Sequence, residues 1–134
     1  MRVLIVGGGQ VGSYLAALLL EQRHTVTIIE THEAAPAALH RTLPGVTVIQ
    51  GNGTDPDVLE MAGIRNVDLV AAVTGTDATN LVITSLARFA FNVSKAVARV
   101  NNPHNSWMFI PEMGVDLALN QADVLARLIT QAML

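Results

Sequence analysis

The residues with the most chemical content stand close to the N-terminus. Gly7-Gly8-Gly9-Gln10-Val11-Gly12 follows a short apolar run and fits the spacing G-x-G-x-x-G. Each glycine has a physical reason: Gly7 permits a tight turn, Gly9 lets the backbone approach a pyrophosphate, and Gly12 lets a helix and a strand pack closely. A helix that starts near Gln10, with Val11 in its first turn, aims free N–H groups and the positive end of its dipole at phosphates. Glu30, followed by Thr31, stands 23 residues after Gly7. There a carboxylate can accept hydrogen bonds from both hydroxyls of an adenine-side ribose. Alone, such a carboxylate is a solvated strand-end charge; with the glycine loop it reads as ribose recognition. It repels a 2′-phosphate and no arginine follows it, which disfavours NADP.

These groups need a scaffold, and the chain supplies one by alternation. Arg2–Val6 is too short for a helix and is stopped by glycines, so it reads as a buried strand. A helical pattern then runs from Gln10 to about Gln22, and Thr25–Glu30 is a second, β-branched strand. A helix is expected over His32–Thr42 and a strand over Val46–Gln50. Asp55-Pro56 reads as N-cap and first helical residue, and Gly63 closes that helix. Asp68–Val73 makes strand four, Ala78 to Phe91 a helix and Lys95–Val100 strand five. Asn102-Pro103 opens another helix, Val115–Leu119 is a short sixth strand and Gln121–Leu134 a last helix. Strands and helices in turn, with short loops, imply parallel βαβ units. The expected fold is α/β, a Rossmann-like doubly wound parallel six-stranded sheet in three αβα layers, ending in a C-terminal dimerisation helix.

In this architecture ligands sit beyond the carboxyl ends of the strands. Strand three ends in Gly51, Asn52 and Gly53, strand four in Thr74 and Gly75, and strand five carries Arg99. Asn52 has both donor and acceptor for an adenine edge, or it makes an Asx turn before the next helix. Arg99 is the one cation expected on this rim; it meets a phosphate bidentately or pairs with Asp77 or Glu30. Other chemistry is thin. His24, His32, His40 and His104 have no metal-ligand spacing, no Ser–His–Asp order stands out, and Lys95 is the only lysine. The site looks built for binding rather than turnover.

Composition narrows the class further. The 134 residues are 51% apolar and only 14% charged, against about 25% charged in ordinary soluble domains. That length fits one domain, and leaves little polar material to cover it. The longest apolar runs, such as Tyr14–Leu20 and Leu69–Val73, fall well short of the ~20 residues of a spanning helix. No signal peptide is expected, since Met1–Val6 leads straight into the glycine cluster with no cleavage-type segment after it. The absence of cysteine excludes disulfides, thiolate zinc sites and cysteine catalysis. A net charge of −3 with scattered basic residues gives no nucleic-acid footprint. A cytoplasmic, oligomeric domain without direct membrane insertion is expected.

MRVLIVGGGQVG, VTIIE, VIQGNGTDPDVLEMAGI, DLVAAVTGTDATNLVI and ARVNNP…GVD together resemble the TrkA-N / RCK domain family. The likeness runs through nearly the whole chain in order, and VTGTDATN followed by ARVNNP is more specific than the glycine loop. It implies a cytoplasmic regulatory subunit, peripheral to the membrane through a potassium transporter or channel partner. Such a subunit binds NAD(H), or in some members AMP, ADP or ATP, without consuming it. The family's ligand contacts carry over to Gly7–Gly12, Glu30, Gly51–Asn52, Thr74-Gly75 and Arg99. Two positions depart from the family pattern. Asn52 stands where aspartate is common, and Gln10 stands where ATP-favouring members often carry a basic residue, which tilts the expectation towards NAD(H) or a mononucleotide. The family usually continues into a smaller C-terminal lobe.

The last helix carries apolar residues over more than one stripe, and a helix apolar nearly all round is a buried one. The resemblance makes residues 121–134 a crossing element, in a homodimer or a ring of dimers, with Leu125, Leu128 and Ile129 in the interface. The chain as a whole, 1–134, reads as a single nucleotide-binding domain. Two other readings compete with a non-enzymatic nucleotide sensor. One is the cofactor-binding domain of an NAD-dependent oxidoreductase lacking its substrate domain; the other is a dimerisation module with a vestigial pocket.

Overall fold

A computed structural model describes residues 1–134. Its six strands are β1 (Arg2–Val6), β2 (Thr25–Glu30), β3 (Thr47–Gln50), β4 (Leu69–Ala72), β5 (Lys95–Val100) and β6 (Leu117–Asn120). All pair in parallel in the order β3-β2-β1-β4-β5-β6. The five helices are α1 (Gln10–Glu21), α2 (Ala35–Thr42), α3 (Pro56–Met61), α4 (Asp77–Ser85) and α5 (Gln121–Ala132). This is the doubly wound Rossmann-like arrangement, with the order reversing between β1 and β4.

Because strand side chains alternate between faces, the central strands feed two cores. Leu4, Val6, Ile29, Val70 and Ala72 pack with Leu59, Ile64 and Ile83 on one face. Val3, Ile5, Val26, Ile28 and Ala71 pack with Ala16, Leu39 and Leu43 on the other. Such two-sided burial is what makes β1 a continuous apolar run. Each buried aliphatic side chain contributes about 1.5–3 kcal/mol, and the sheet holds the strand ends, hence the loops beyond them, in fixed register.

The expected boundaries shift where local chemistry intervenes. The start of α2 moves from His32 to Ala35, with Pro36 in the first turn, where its missing N–H costs nothing. The third helix starts as expected: the Asp55 carboxylate accepts from the Asp57 N–H, and Gly63 follows in the left-handed region at φ 81°. The helix expected up to Phe91 is α-helical only to Ser85 and then widens into a π turn over Leu86–Ala90. There Arg88 reaches Asp116 and the carbonyl of Ser94. Gly114 (φ 83°) presses on this helix so closely that a Cβ would lie 2.3 Å from the Thr84 carbonyl oxygen. Pro103–Met108 forms 3-10 turns rather than an α-helix. The sixth strand begins at Leu117, not Val115, because Val115 turns into a third core with Leu81, Val100 and Phe109.

The C-terminal helix, α5, has no burial within its own chain. Every residue from Gln121 to Leu134 is exposed, including Leu125 at 52%, Leu128 at 57% and Ile129 at 65%. The helix is amphipathic rather than apolar all round. Val124, Leu125, Leu128, Ile129 and Ala132 share one side, and Asp123, Arg127 and Thr130 the opposite one. It also follows β6 with no intervening loop, since Asn120 ends the strand and caps the helix. A helix so joined runs on from the strand and cannot fold back over the sheet.

Candidate functional site

The glycine loop forms where β1 ends. Gly7 donates to the Ile29 carbonyl at 2.9 Å with φ 115°, so the loop is pinned to β2 in a conformation that favours glycine. Gly12 lies buried directly beneath it: a Cβ there would stand 1.8 Å from the Gly7 carbonyl oxygen. Glycine is therefore required at position 12 by protein packing alone. Gly9 differs, since a Cβ at that position meets nothing within 4 Å, and the same holds for Gly75 across the cleft. The N–H groups of Gly9, Gln10, Val11 and Gly12 find no acceptor in the chain. They are the orphan donors of the α1 N-terminus, turned towards the switch point of the sheet.

A cleft of about 610 Å³ opens there. The structure brings Gly7, Gly9, Val11, Glu30, Thr31, Gly51, Asn52, Gly53, Thr74, Gly75 and Arg99 into its wall. Gln10 and Gly12 lie outside it: Gln10 faces outward beside Val11 and Tyr14, and Gly12 sits under the loop. Gly8, within the expected Gly7–Gly12 loop, lines the cleft as well, and so do His32, Thr76 and Thr79, which the sequence pattern did not place there.

The Glu30 carboxylate has an anchoring role that sequence did not show. Its Oε2 accepts from the Gly8 N–H, and its Oε1 accepts from the Thr31 N–H at 3.0 Å and the Thr31 hydroxyl at 3.3 Å. One side chain thus fixes the glycine loop and stands at the cleft edge with three of its about four acceptor sites taken; the long 3.3 Å contact from the Thr31 hydroxyl is the one a ligand hydroxyl can replace. Asn52 makes the Asx turn, its Oδ1 accepting from the Thr54 N–H and hydroxyl at 2.9 and 2.8 Å. Its Nδ2 remains available to a ligand. Arg99 pairs with neither Asp77 nor Glu30; its buried Nε has no partner within the chain. That unsatisfied donor belongs to a residue lining the same cleft as Gly9 and Gly75, where the space is open, and fits an anionic group.

Behind the cleft lies a buried polar network that composition gave no hint of. Asn80, 0% exposed, uses its whole side chain. Its Oδ1 accepts from the Thr74 N–H and hydroxyl, and its Nδ2 donates to the carbonyls of Thr74 and Arg99. It clamps the end of β4 to that of β5. Asp77 accepts from the Asn101 N–H and Nδ2, the Asn102 N–H and the Asn105 Nδ2. The available signal was a polar residue on the inward side of an apolar helix, at Asn80 and again at Thr84, within the VTGTDATN stretch.

Burial pushes the Asp77 carboxyl up, but the hydrogen bonds from Asn101, Asn105 and Asn102 outweigh it and hold it below its ordinary 3.8. A carboxyl whose folded pKa lies below its unfolded one supports the fold above the unfolded value and loses that support as pH falls through the folded one. Asp77→Asn is therefore expected to cost about 2–3 kcal/mol at neutral pH and to flatten the decline of stability below pH 3.8. Urea unfolding of both proteins over an acid pH series reads this; parallel curves would contradict it.

Strand order, glycine loop and switch-point cleft define the class: a Rossmann-like domain of the nucleotide-binding type. The TrkA-N domain family model matches residues 3–121, and the chain belongs to that family. It is 41% identical over 135 residues to a Trk system potassium uptake protein TrkA homolog of Methanothermobacter thermautotrophicus, covering 98% of this chain and 61% of that one. The chain spans about three-fifths of the length of that relative and of the Mycobacterium tuberculosis TrkA, and only 22% of the Vibrio alginolyticus one. Among solved structures, the TrkA-N domain of inner membrane protein ybaL from Escherichia coli superposes with TM-score 0.86 at 23% identity, covering 99% and 96% of the two chains. The GsuK channel bound to NAD gives TM-score 0.82 at 19% identity, over 94% of this chain and 22% of the channel chain. The same channel has been solved bound to ADP, with TM-score 0.80 at 25% identity over 96% and 32%.

Proposed function

We propose that this chain is a non-enzymatic regulatory domain. It binds NAD(H), or else AMP, ADP or ATP, in the switch-point cleft and transmits occupancy to a potassium transporter or channel subunit at the cytoplasmic face of the membrane. The observation that carries the reading is the set of unpartnered donors at the cleft, namely the α1 N-terminal N–H groups and the Arg99 Nε, opposite the Glu30 carboxylate. The pyrophosphate would lie over Gly9 against those donors, with Thr74 and Gly75 on the far side. Glu30, beside Thr31, would take the ribose hydroxyls, and Gly51, Asn52 and Gly53 the adenine. A carboxylate at the ribose disfavours a 2′-phosphate, hence NAD rather than NADP. The NAD-bound and ADP-bound GsuK structures support an adenine nucleotide in this fold.

The regulatory reading draws on the TrkA relatives and on the ionisable groups at the cleft. Glu30 is held by the loop, Arg99 is a permanent cation, and the one remaining titratable side chain is His32, which is exposed. Lys95 begins β5, at the end of the strand away from the cleft. Thermal unfolding with NAD, NADH, ATP, ADP and AMP tests the proposal. A ligand at about 100 times its Kd should stabilise by about 2.7 kcal/mol. No stabilisation by any of the five, or oxidation of NADH by the chain, would overturn it.

A homodimer, alone or repeated in a ring, is the proposed assembly, with the apolar side of α5 covered by a second copy. The exposure of Val124, Leu125, Leu128 and Ile129 in one stripe supports this. Sedimentation should show a dimer that Leu125→Glu with Ile129→Glu converts to monomer. A monodisperse wild-type monomer at micromolar concentration would sink the idea.

A further inference from the structure

The helix most in need of orientation, α5, is joined to the cleft by one run of polar side chains. At the cleft, Thr74 offers its carbonyl to the Nδ2 groups of both Asn80 and Asn101, and Asn101 Nδ2 also donates to Asp77 at 3.2 Å. The second oxygen of Asp77 accepts from the Asn102 N–H at 2.9 Å and the Asn105 Nδ2 at 2.8 Å. Both donors belong to the Pro103–Met108 turn and its cap. The next residue of that turn, Ser106, accepts from Asn120 Nδ2 at 3.2 Å. Asn120 Oδ1 in turn accepts from the Asp123 N–H at 3.1 Å and caps α5. No residue of the turn is buried, and its Trp107 is 74% exposed. Only Met108, and the buried Phe109 that ends the turn, reach the third core; the Asn102–Ser106 part is placed by polar ties.

We propose, on the nucleotide reading above, that Asp77 is a positioning residue through which cleft occupancy reaches α5. Its carboxylate fixes the Pro103–Met108 turn to the Thr74 loop, and Asn120 fixes the first turn of α5 to that same turn. A ligand that contacts Thr74 and Gly75 shifts the loop's preferred position, and the turn and the α5 N-cap follow. Asp77 itself does not line the cleft. Its oxygens serve four donors, and an asparagine in its place can satisfy only part of that set. The coupling needs no core rearrangement, because α5 has no buried residue to hold it in one orientation.

The chain carries its own reporters. Trp107 is the single tryptophan, and the absence of cysteine lets Thr130→Cys place one environment-sensitive dye on the polar side of α5. NAD and ADP are titrated in parallel, with binding followed by calorimetry. In the wild type, binding should shift both the Trp107 emission and the dye signal. Ser106→Ala lies outside the cleft; it should leave Kd and the Trp107 shift unchanged and abolish the dye response. Asp77→Asn should abolish both optical responses while heat of binding is still seen. A purely structural Asp77 would lower stability and leave the optical responses of the bound state intact, which would overturn the proposal. So would retention of the dye response in Ser106→Ala, a test that stands even if Asp77→Asn does not fold. Binding without any optical change in the wild type would overturn the relay alone. Absence of binding by both NAD and ADP would overturn the nucleotide reading beneath it.

Discussion

In urea unfolding, Gly12→Ala is expected to lose more than about 4 kcal/mol, the range reserved for severe core or backbone conflicts. The new Cβ would lie 1.8 Å from the Gly7 carbonyl oxygen and 3.4 Å from Ile5 Cγ2. The first contact is with backbone pinned to β2 through the Gly7–Ile29 hydrogen bond, so no side-chain rotation relieves it. Helix α1 must move away from β1 by more than 1 Å to restore an ordinary contact of about 3.4 Å or more, and Ala16 leaves its buried place in the core. Total stability of a domain this size is about 5–15 kcal/mol, so the loss takes much of it. A melting temperature lower by roughly 10–20 °C is the thermal counterpart. Nucleotide affinity should vanish with it, since the α1 N–H groups move with the helix. An unchanged urea midpoint would show that the loop has more freedom than its hydrogen bonds allow.

The second large effect is expected at Glu30 and falls on binding. Under the proposed ribose role, Glu30→Ala removes two charge-assisted hydrogen bonds, about 3 kcal/mol in all and roughly a hundredfold in the Kd for NAD. The structure changes what accompanies that loss. The carboxylate also receives the Gly8 N–H and the Thr31 N–H, so the substitution is not silent in the fold. It should lower stability by about 1 kcal/mol and loosen the glycine loop. The ratio of NAD to NADP affinity separates the two roles. Removal of the charge should narrow that ratio, because the 2′-phosphate loses its repulsion, whereas loop loosening alone weakens both cofactors equally. Calorimetry with both, showing equal weakening, would leave Glu30 as a loop anchor only.

The two glycines at 9 and 12 illustrate how function and packing separate within one motif. The spacing marks both, yet the protein itself forbids a side chain only at position 12. At position 9 the space is free, so the chain itself imposes no need for glycine there, and the proposed nucleotide reading is what gives that open backbone a use. Arg99 shows the same division. Its place on β5 predicted a cation at the rim, with a phosphate or a carboxylate as partner. Only its final surroundings, with the buried Nε unpaired and Asp77 fully engaged elsewhere, decide against the internal ion pair.

Much of the molecule was legible in the sequence because it depends on near neighbours. The β1–loop–α1 unit, the extent of β2 and β5, the Asp55-Pro56 helix start and the strand order all follow from period, turn residues and caps. Residues set at strand ends then come together automatically, since a parallel sheet places its carboxyl ends side by side. Three things waited for the tertiary structure. Asp77 and Asn80 join groups 19 to 28 residues away, and no local pattern says which distant amide will satisfy a buried polar group. The Glu30 carboxylate found the Gly8 N–H across 22 residues. Most consequential is the C-terminal excess of apolar residues behind the low charged fraction. Composition and periodicity announced a helix to be buried; the junction of β6 and α5 at Asn120 left it standing free of its own sheet. Sequence determines that such a surface must exist, because its apolar side chains are encoded there. Whether the chain covers it alone depends on where the last strand points the helix, and that is a property of the assembled sheet.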